Sequence, residues 1–321
     1  MSALPVDEVS VLQSLLDAVS TGHILEATAE LGLLDHLTSG PKDASELAQA
    51  CATDPTMTAL LLDTLANLGV VHGNGSGQYT IGVAGPALIT TAARGGWSQV
   101  ADVVRSGEPL ARADTIEGAS DLYPDLVSLL SVLFTPAARR AAQLLAGCGA
   151  DVLDVGAGAA PWSIALATHS PVVRVTALDL TAVIATTRRA VEAADLADRF
   201  DYLPADMFTC TLPPAAYNVV LLANICHLFD EERNRALLRR LRPTVKPGGL
   251  LAIIDVLTAP DPGAERWISL YSLSLRLRTS QGAVHPLAAY ETWTSNTGFG
   301  PLQVEPLSAV PSLCLLACRT K

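Results

Sequence analysis

Apolar residues recur at spacings of three and four along "VLQSLLDAVSTGHILEATAELGLLDHL", from Val11 to Leu37, which is the period of a helix with one buried face. The next stretch, "DASELAQACATDPTMTALLLDTLANLGVV", reads as two helices divided at Thr53-Asp54-Pro55, where an aspartate can cap and a proline can open the second. "HGNGSGQYTIG" follows as a glycine-rich turn and a short strand. Helix, turn, helix and hairpin in that order predict a winged-helix domain.

From Asp151 the pattern changes to short apolar runs alternating with helical stretches. The runs are "DVLDVGAG", "VRVTALDL", "FDYLPADMF", "YNVVLLANICH" and "GLLAIIDVL", followed by the pair "LQVEPLSA" and "SLCLLACRT". Strands separated by helices predict a parallel, doubly wound Rossmann-like α/β sheet, with the last pair added as an antiparallel hairpin. Between the two textures, Gly95-Gly96, Pro109, Pro124 and Pro136 interrupt a region that carries Trp97, Tyr123 and Phe134. Scattered aromatic residues usually pack, so these three are expected in the core. The predicted organisation is a winged-helix dimerisation domain over 1–93, a helical linker walling a substrate pocket over 94–147, and the α/β domain over 148–321.

Composition narrows the partners. The formal charge of −11 repels phosphate backbones, and the would-be DNA-reading helix, Pro55 to Leu68, has no Lys or Arg to hold one. A Leu- and Ala-rich winged helix of that kind suits burial against a second copy, so the expectation is a homodimer with no nucleic-acid partner. No window suits a bilayer and no signal peptide is legible, which predicts a cytoplasmic protein with no membrane partner. The six cysteines form no C-x-x-C pair and no zinc pattern, and read as reduced core thiols. No paired-carboxylate motif asks for a metal.

In an open parallel sheet the ligand sits beyond the carboxyl ends of the strands. Here those ends carry Gly156 to Gly158, Asp179, Asp206, His227 and Asp255. Gly156 and Gly158 permit a tight turn and close approach to a ligand. A dinucleotide fingerprint wants a third glycine where Pro161 stands. Asp179 is well placed to accept from ribose hydroxyls, so the ligand has a ribose and lacks a diphosphate.

Three segments carry a resemblance: "VLDVGAGAAPW", "ADMF", and "LLANICHLFDEERNRALLRRLRPTVKPGG". With the winged helix ending in "YTIG", they make the chain similar to the S-adenosylmethionine-dependent small-molecule O-methyltransferases of plant and bacterial secondary metabolism. The resemblance implies a homodimeric enzyme with S-adenosylmethionine as cofactor and the hydroxyl of a small aromatic or apolar natural product as acceptor. By that resemblance Gly156 and Gly158 approach the methionine part, Asp179 binds the ribose with Leu180 beside it, and Asp206 and Met207 flank the adenine with Phe208 nearby. His227 falls on the general base. The chain departs from plant members at three points: His227-Leu228-Phe229 stands where they read H-D-W, Ala223 stands for a lysine, and Val284 for the glutamate that orients the base. Asp255 is the carboxylate nominated in that glutamate's place, and His285 is a candidate for the pocket wall. Transfer to carbon or nitrogen, or a fold turned to non-methylating chemistry such as cyclisation, hydroxylation or decarboxylation, are the alternatives.

Overall fold

A computed structural model of the chain describes residues 6–82, 85, 96–258, 264–307 and 310–321. The chain divides into two compact units, Met1–Gly96 and Trp97–Lys321. The boundary expected at 93/94, and the Gly95 beside it, lie outside the described residues, as do Ser308 and Ala309 of the expected hairpin.

The first unit holds α1 (Val6–Glu30), β1 (Lys42–Asp43), α2 (Ala44–Cys51), α3 (Pro55–Asn67), β2 (Val71–Gly73) and β3 (Gln78–Ile81), with the strands in the order β1-β3-β2. Caps set its helices. Asp43 and Glu46 close a capping box on α2, and Asp54 accepts from the Met57 N–H at 2.9 Å, with Pro55 in the first turn of α3. Its core is Leu33, Leu34, Leu37, Leu47, Leu62, Leu65, Val70 and Val71. On α1, Val11, Leu12, Leu15, Leu16 and Val19 are each about half exposed or more.

In the second unit α4 (Val100–Ser106) and α5 (Ile116–Leu144) precede the sheet. The expected break at Pro124 and Pro136 does not occur, because α5 runs through both. Each proline removes one N–H and crowds the carbonyl four residues back. Burial of Val127, Phe134, Ala137, Ala138, Ala141 and Ala142 on the inner face of the helix opposes that cost. The sheet strands are β4 (Asp151–Val155), β5 (Arg174–Asp179), β6 (Phe200–Pro204), β7 (Tyr217–Ala223), β8 (Val245–Val256), β9 (Gln303–Pro306) and β10 (Leu313–Arg319), in the order β6-β5-β4-β7-β8-β10-β9. β4 to β8 pair in parallel, and β10 runs antiparallel to both β8 and β9. The helices are α6 (Pro161–His169), α7 (Thr181–Ala193), α8 (Glu231–Leu241), α9 (Glu265–Arg278) and α10 (Leu287–Asn296).

Because strand side chains alternate, β7 buries Val219, Leu221 and Ala223 in one layer and Val220 and Leu222 in the other. Both faces are covered, as continuous apolar strands require. Strand order reverses between β4 and β7, which opens a crevice at their carboxyl ends.

Candidate active site

The loop after β4 turns sharply, with Gly156 at φ 70° and Gly158 at φ 58°. A Cβ on Gly156 would lie 2.3 Å from Ile225 Cδ1, so the backbone passes where a side chain cannot. The N–H groups of Gly156 and Ala157 both donate to the Leu178 carbonyl, tying the loop to β5. Asp179 ends β5 with one carboxylate oxygen on the Gly158 N–H and the other on the Leu180 N–H, each at 2.7 Å. Burial pushes its pKa up to about 6 against the pull of those two bonds. Beyond β6, Asp206 accepts from Phe208 N–H and Thr209 Oγ1, both at 3.0 Å, which fixes the turn bearing Met207 and Phe208.

These residues line one cavity, which encloses about 910 Å³ of space, part of it open to solvent. Gly156, Gly158, Asp179, Leu180, Asp206, Met207 and Phe208 all face it, together with Asp114, Tyr123, Val127 and Phe134 from the region before the sheet. Tyr123 and Phe134, expected in the core, are thus cavity-lining as well. The carboxylates keep lone pairs for hydroxyl and amine donors. Asn224, left-handed at φ 59° just past β7, adds a buried Nδ2 with no partner, and Asp114 adds a buried Oδ1 with none. A ligand with both donors and acceptors is what such orphaned groups fit.

His227 stands elsewhere than expected. β7 ends at Ala223, and His227 lies on a following 3₁₀ turn, Cys226–Leu228, rather than on the strand end. Its ring is buried, and the cavity lining includes its neighbours Ile225, Leu228 and Phe229 but not the imidazole. Its Nδ1 is 2.6 Å from Asp255 Oδ1, and its backbone N–H donates to Asp255 Oδ2 at 3.1 Å. Asp255, in β8, is 0% exposed and also accepts from Val256 N–H and Tyr290 Oη. A carboxylate that only accepts places the Nδ1 proton between the two residues. Val284 sits beside this group on a loop whose Ala283 N–H donates to the His227 carbonyl. His285 does not line the cavity; its Nε2 is 3.0 Å from the Phe229 carbonyl and its ring packs on Trp293.

Several supports have no motif. Asp230 caps α8 by accepting from Arg233 N–H, as its position in the sequence suggests. The basic residues of α8 do more than complement the helix dipole. Arg240 donates to the carbonyls of Met207 and Cys210, pinning the Asp206 turn. The Arg233 guanidinium lies over the rings of Phe208 and Phe229 and donates to the Asp114 carbonyl. Tyr271, in α9, reaches His227 and is invisible to any motif, although Trp267 and Tyr271 four apart could have marked a paired aromatic face.

A profile of the O-methyltransferase domain matches residues 139–300, and one of the O-methyltransferase dimerisation domain matches residues 13–90. The chain is 27% identical over 310 residues to a 3-hydroxy-5-methyl-1-naphthoate 3-O-methyltransferase of Streptomyces sahachiroi, covering 89% of each. It is 26% identical to an acetylserotonin O-methyltransferase of Rattus norvegicus, over 92% of this chain and 73% of that one. Among solved structures, human N-acetylserotonin methyltransferase in complex with S-adenosylmethionine superposes with a TM-score of 0.78 at 21% identity, covering 100% of this chain and 99% of that one. With a seven-stranded sheet, an acid-lined crevice at its switch point and a family profile over half its length, the chain belongs to the O-methyltransferase family and is an S-adenosylmethionine-dependent O-methyltransferase.

Proposed function

We propose that this enzyme methylates the hydroxyl of a small aromatic natural product, with His227 as general base and Asp255 as the residue that orients it. The observation that carries this reading is the 2.6 Å contact between His227 Nδ1 and a fully buried carboxylate, which holds the imidazole by Nδ1 and keeps Nε2 as the nitrogen for substrate.

The cofactor, when bound, supplies an electrophilic methyl on a positively charged sulfur. Gly156 and Gly158 would hold the backbone clear for its methionine end, Asp179 would accept from the ribose with Leu180 alongside, and Asp206, Met207 and Phe208 would hold the adenine. Asn224 Nδ2, buried without a partner at the same cavity, is a donor for an acceptor group on the ligand. A phenol with a pKa of about 10 keeps its proton at neutral pH. Nε2 of His227 would take that proton as the methyl passes to the phenol oxygen and the sulfur departs as a neutral thioether, and Asp255 would stabilise the imidazolium. Such a base is worth a factor of about 10² to 10⁴ in rate.

The named relatives act on a hydroxynaphthoate and on acetylserotonin, both aromatic, which supports the acceptor class. Homodimerisation through the first unit is part of the same proposal, supported by the dimerisation-domain match and the exposed apolar residues of α1. Incubating the protein with S-adenosylmethionine and a panel of phenols, naphthols and aliphatic alcohols, then reading products by mass spectrometry, tests the acceptor. O-methyl products from the aromatic members alone support it. Methylation confined to carbon, nitrogen or aliphatic hydroxyls would sink it.

A further inference from the structure

Asp114 lines the cavity, is 8% exposed, and has a buried Oδ1 without a hydrogen-bond partner. Its carboxylate is not spent on the helix that follows, because α5 is capped by Thr115, whose Oγ1 accepts from the Gly118 N–H at 3.2 Å. Its backbone is held on both sides. The Ala113 N–H donates to the Arg278 carbonyl at 2.8 Å. Arg233, whose guanidinium lies over Phe208 and Phe229, donates to the Asp114 backbone carbonyl at 3.0 Å. The two other acids on the cavity stand at strand ends and have partners: Asp179 accepts from two backbone N–H groups, and Asp206 from the Phe208 N–H and Thr209 Oγ1. Asp114 stands instead on the segment before the sheet, which also gives the cavity the apolar side chains of Ile116, Ala119, Leu130 and Phe134. A carboxylate oxygen buried in such a wall without a donor is costly, and a ligand that brings a donor removes the cost.

We propose that Asp114 is a specificity-determining residue for the acceptor molecule: it receives an N–H or O–H that the aromatic substrate carries apart from the hydroxyl that is methylated. The inference rests on the acceptor being a phenol, and it narrows that class to phenols bearing a second donor, an amine above all. A ring carboxylate at the same place meets like charge. The hydroxynaphthoate of the Streptomyces sahachiroi relative is therefore a poor guide to the far end of this substrate. Rotation about the terminal side-chain bond of an aspartate is soft, so either oxygen can turn to the donor. A hydrogen bond to a charged group outweighs one between neutral groups, and is worth a factor of about ten or more in affinity.

Calorimetry on protein loaded with S-adenosylhomocysteine compares 1-naphthol with its 5-, 6- and 7-amino derivatives and with the matching carboxylates. In wild type, at least one amino isomer is expected to bind about tenfold or more tighter than 1-naphthol, and each carboxylate more weakly. In Asp114→Asn, which keeps the shape, the amine-to-naphthol affinity ratio is expected to fall by about fivefold or more and the carboxylate-to-naphthol ratio to rise, at unchanged S-adenosylhomocysteine affinity. Asp114→Ala is expected to move both ratios in the same directions. A wild type that prefers no amino isomer, or that binds none of the probes, overturns the proposal, as do ratios that the substitutions leave alone. A fall in S-adenosylhomocysteine affinity in step with the amine ratio assigns Asp114 to the cofactor and overturns it too. The acceptor reading fails on a different measurement: ratios as expected, with no O-methyl product from any bound phenol, remove that reading and leave the Asp114 contact standing.

Discussion

Asp154 sits in the middle of β4, 1% exposed, and accepts a hydrogen bond from Ser163 Oγ on its Oδ2 at 2.5 Å. Burial is the main reason its pKa rises from 3.8 to about 7; the Ser163 bond opposes the rise and the nearby Asp179 adds to it. The folded state therefore keeps a proton that the unfolded chain has released. The sign follows: the contribution to stability is fully present below about pH 4 and is lost as pH climbs to about 7. A move from 3.8 to about 7 corresponds to about 4 kcal/mol. Asp154→Asn keeps the shape and an oxygen for Ser163 but cannot ionise. Its own amide hydrogens go unpaired, which costs about 1–3 kcal/mol at every pH. Urea unfolding of both proteins at intervals from pH 4 to pH 8 separates the two effects. The constant cost shifts the variant's curve, whereas the titration changes the wild-type minus variant difference by about 4 kcal/mol in the variant's favour as pH rises. Parallel curves, or a difference that grows the other way, would refute the argument.

Asp179→Ala is expected to weaken S-adenosylmethionine binding at least about tenfold by calorimetry, since hydrogen bonds to a charged group are worth about 1.5–3 kcal/mol each. Gly156→Ala forces a Cβ toward Ile225 at 2.3 Å in a left-handed backbone, and should lower cofactor affinity while leaving the circular dichroism spectrum intact. Asp255→Asn should lower kcat by about 10² or more while S-adenosylhomocysteine affinity changes little, because the His227 tautomer is no longer held; a parallel loss of both would make Asp255 merely structural. Leu15→Glu with Leu16→Glu, on the exposed apolar face of α1, should turn a dimer into a monomer by light scattering at unchanged helicity.

Much of this architecture is legible in the chain because local signals agree with it. The apolar runs "DVLDV", "VTALD" and "VVLLA" coincide with β4, β5 and β7, and the caps at Asp54 and Asp230 act where the residues stand. Asp255 could be nominated from the sequence because β7 and β8 are parallel neighbours, so a residue ending one strand faces the turn that follows the other. Other features are not local. Pro124 and Pro136 predict breaks, and only tertiary burial of α5 explains why the helix continues. Arg240 reaches carbonyls 33 and 30 residues away, and Tyr271 meets a histidine 44 residues earlier. No spacing rule encodes those approaches, since the fold brings the partners together.

The account turns on His227, and the measurement that tests it most directly is the single-turnover rate of methyl transfer by His227→Asn beside wild type, both saturated with labelled S-adenosylmethionine and an acceptor found in the phenol panel. A rate lower by a factor of about 10² to 10⁴ with unchanged cofactor affinity is predicted. Methyl transfer at the wild-type rate would contradict it and leave placement by the cavity as the whole of the catalysis.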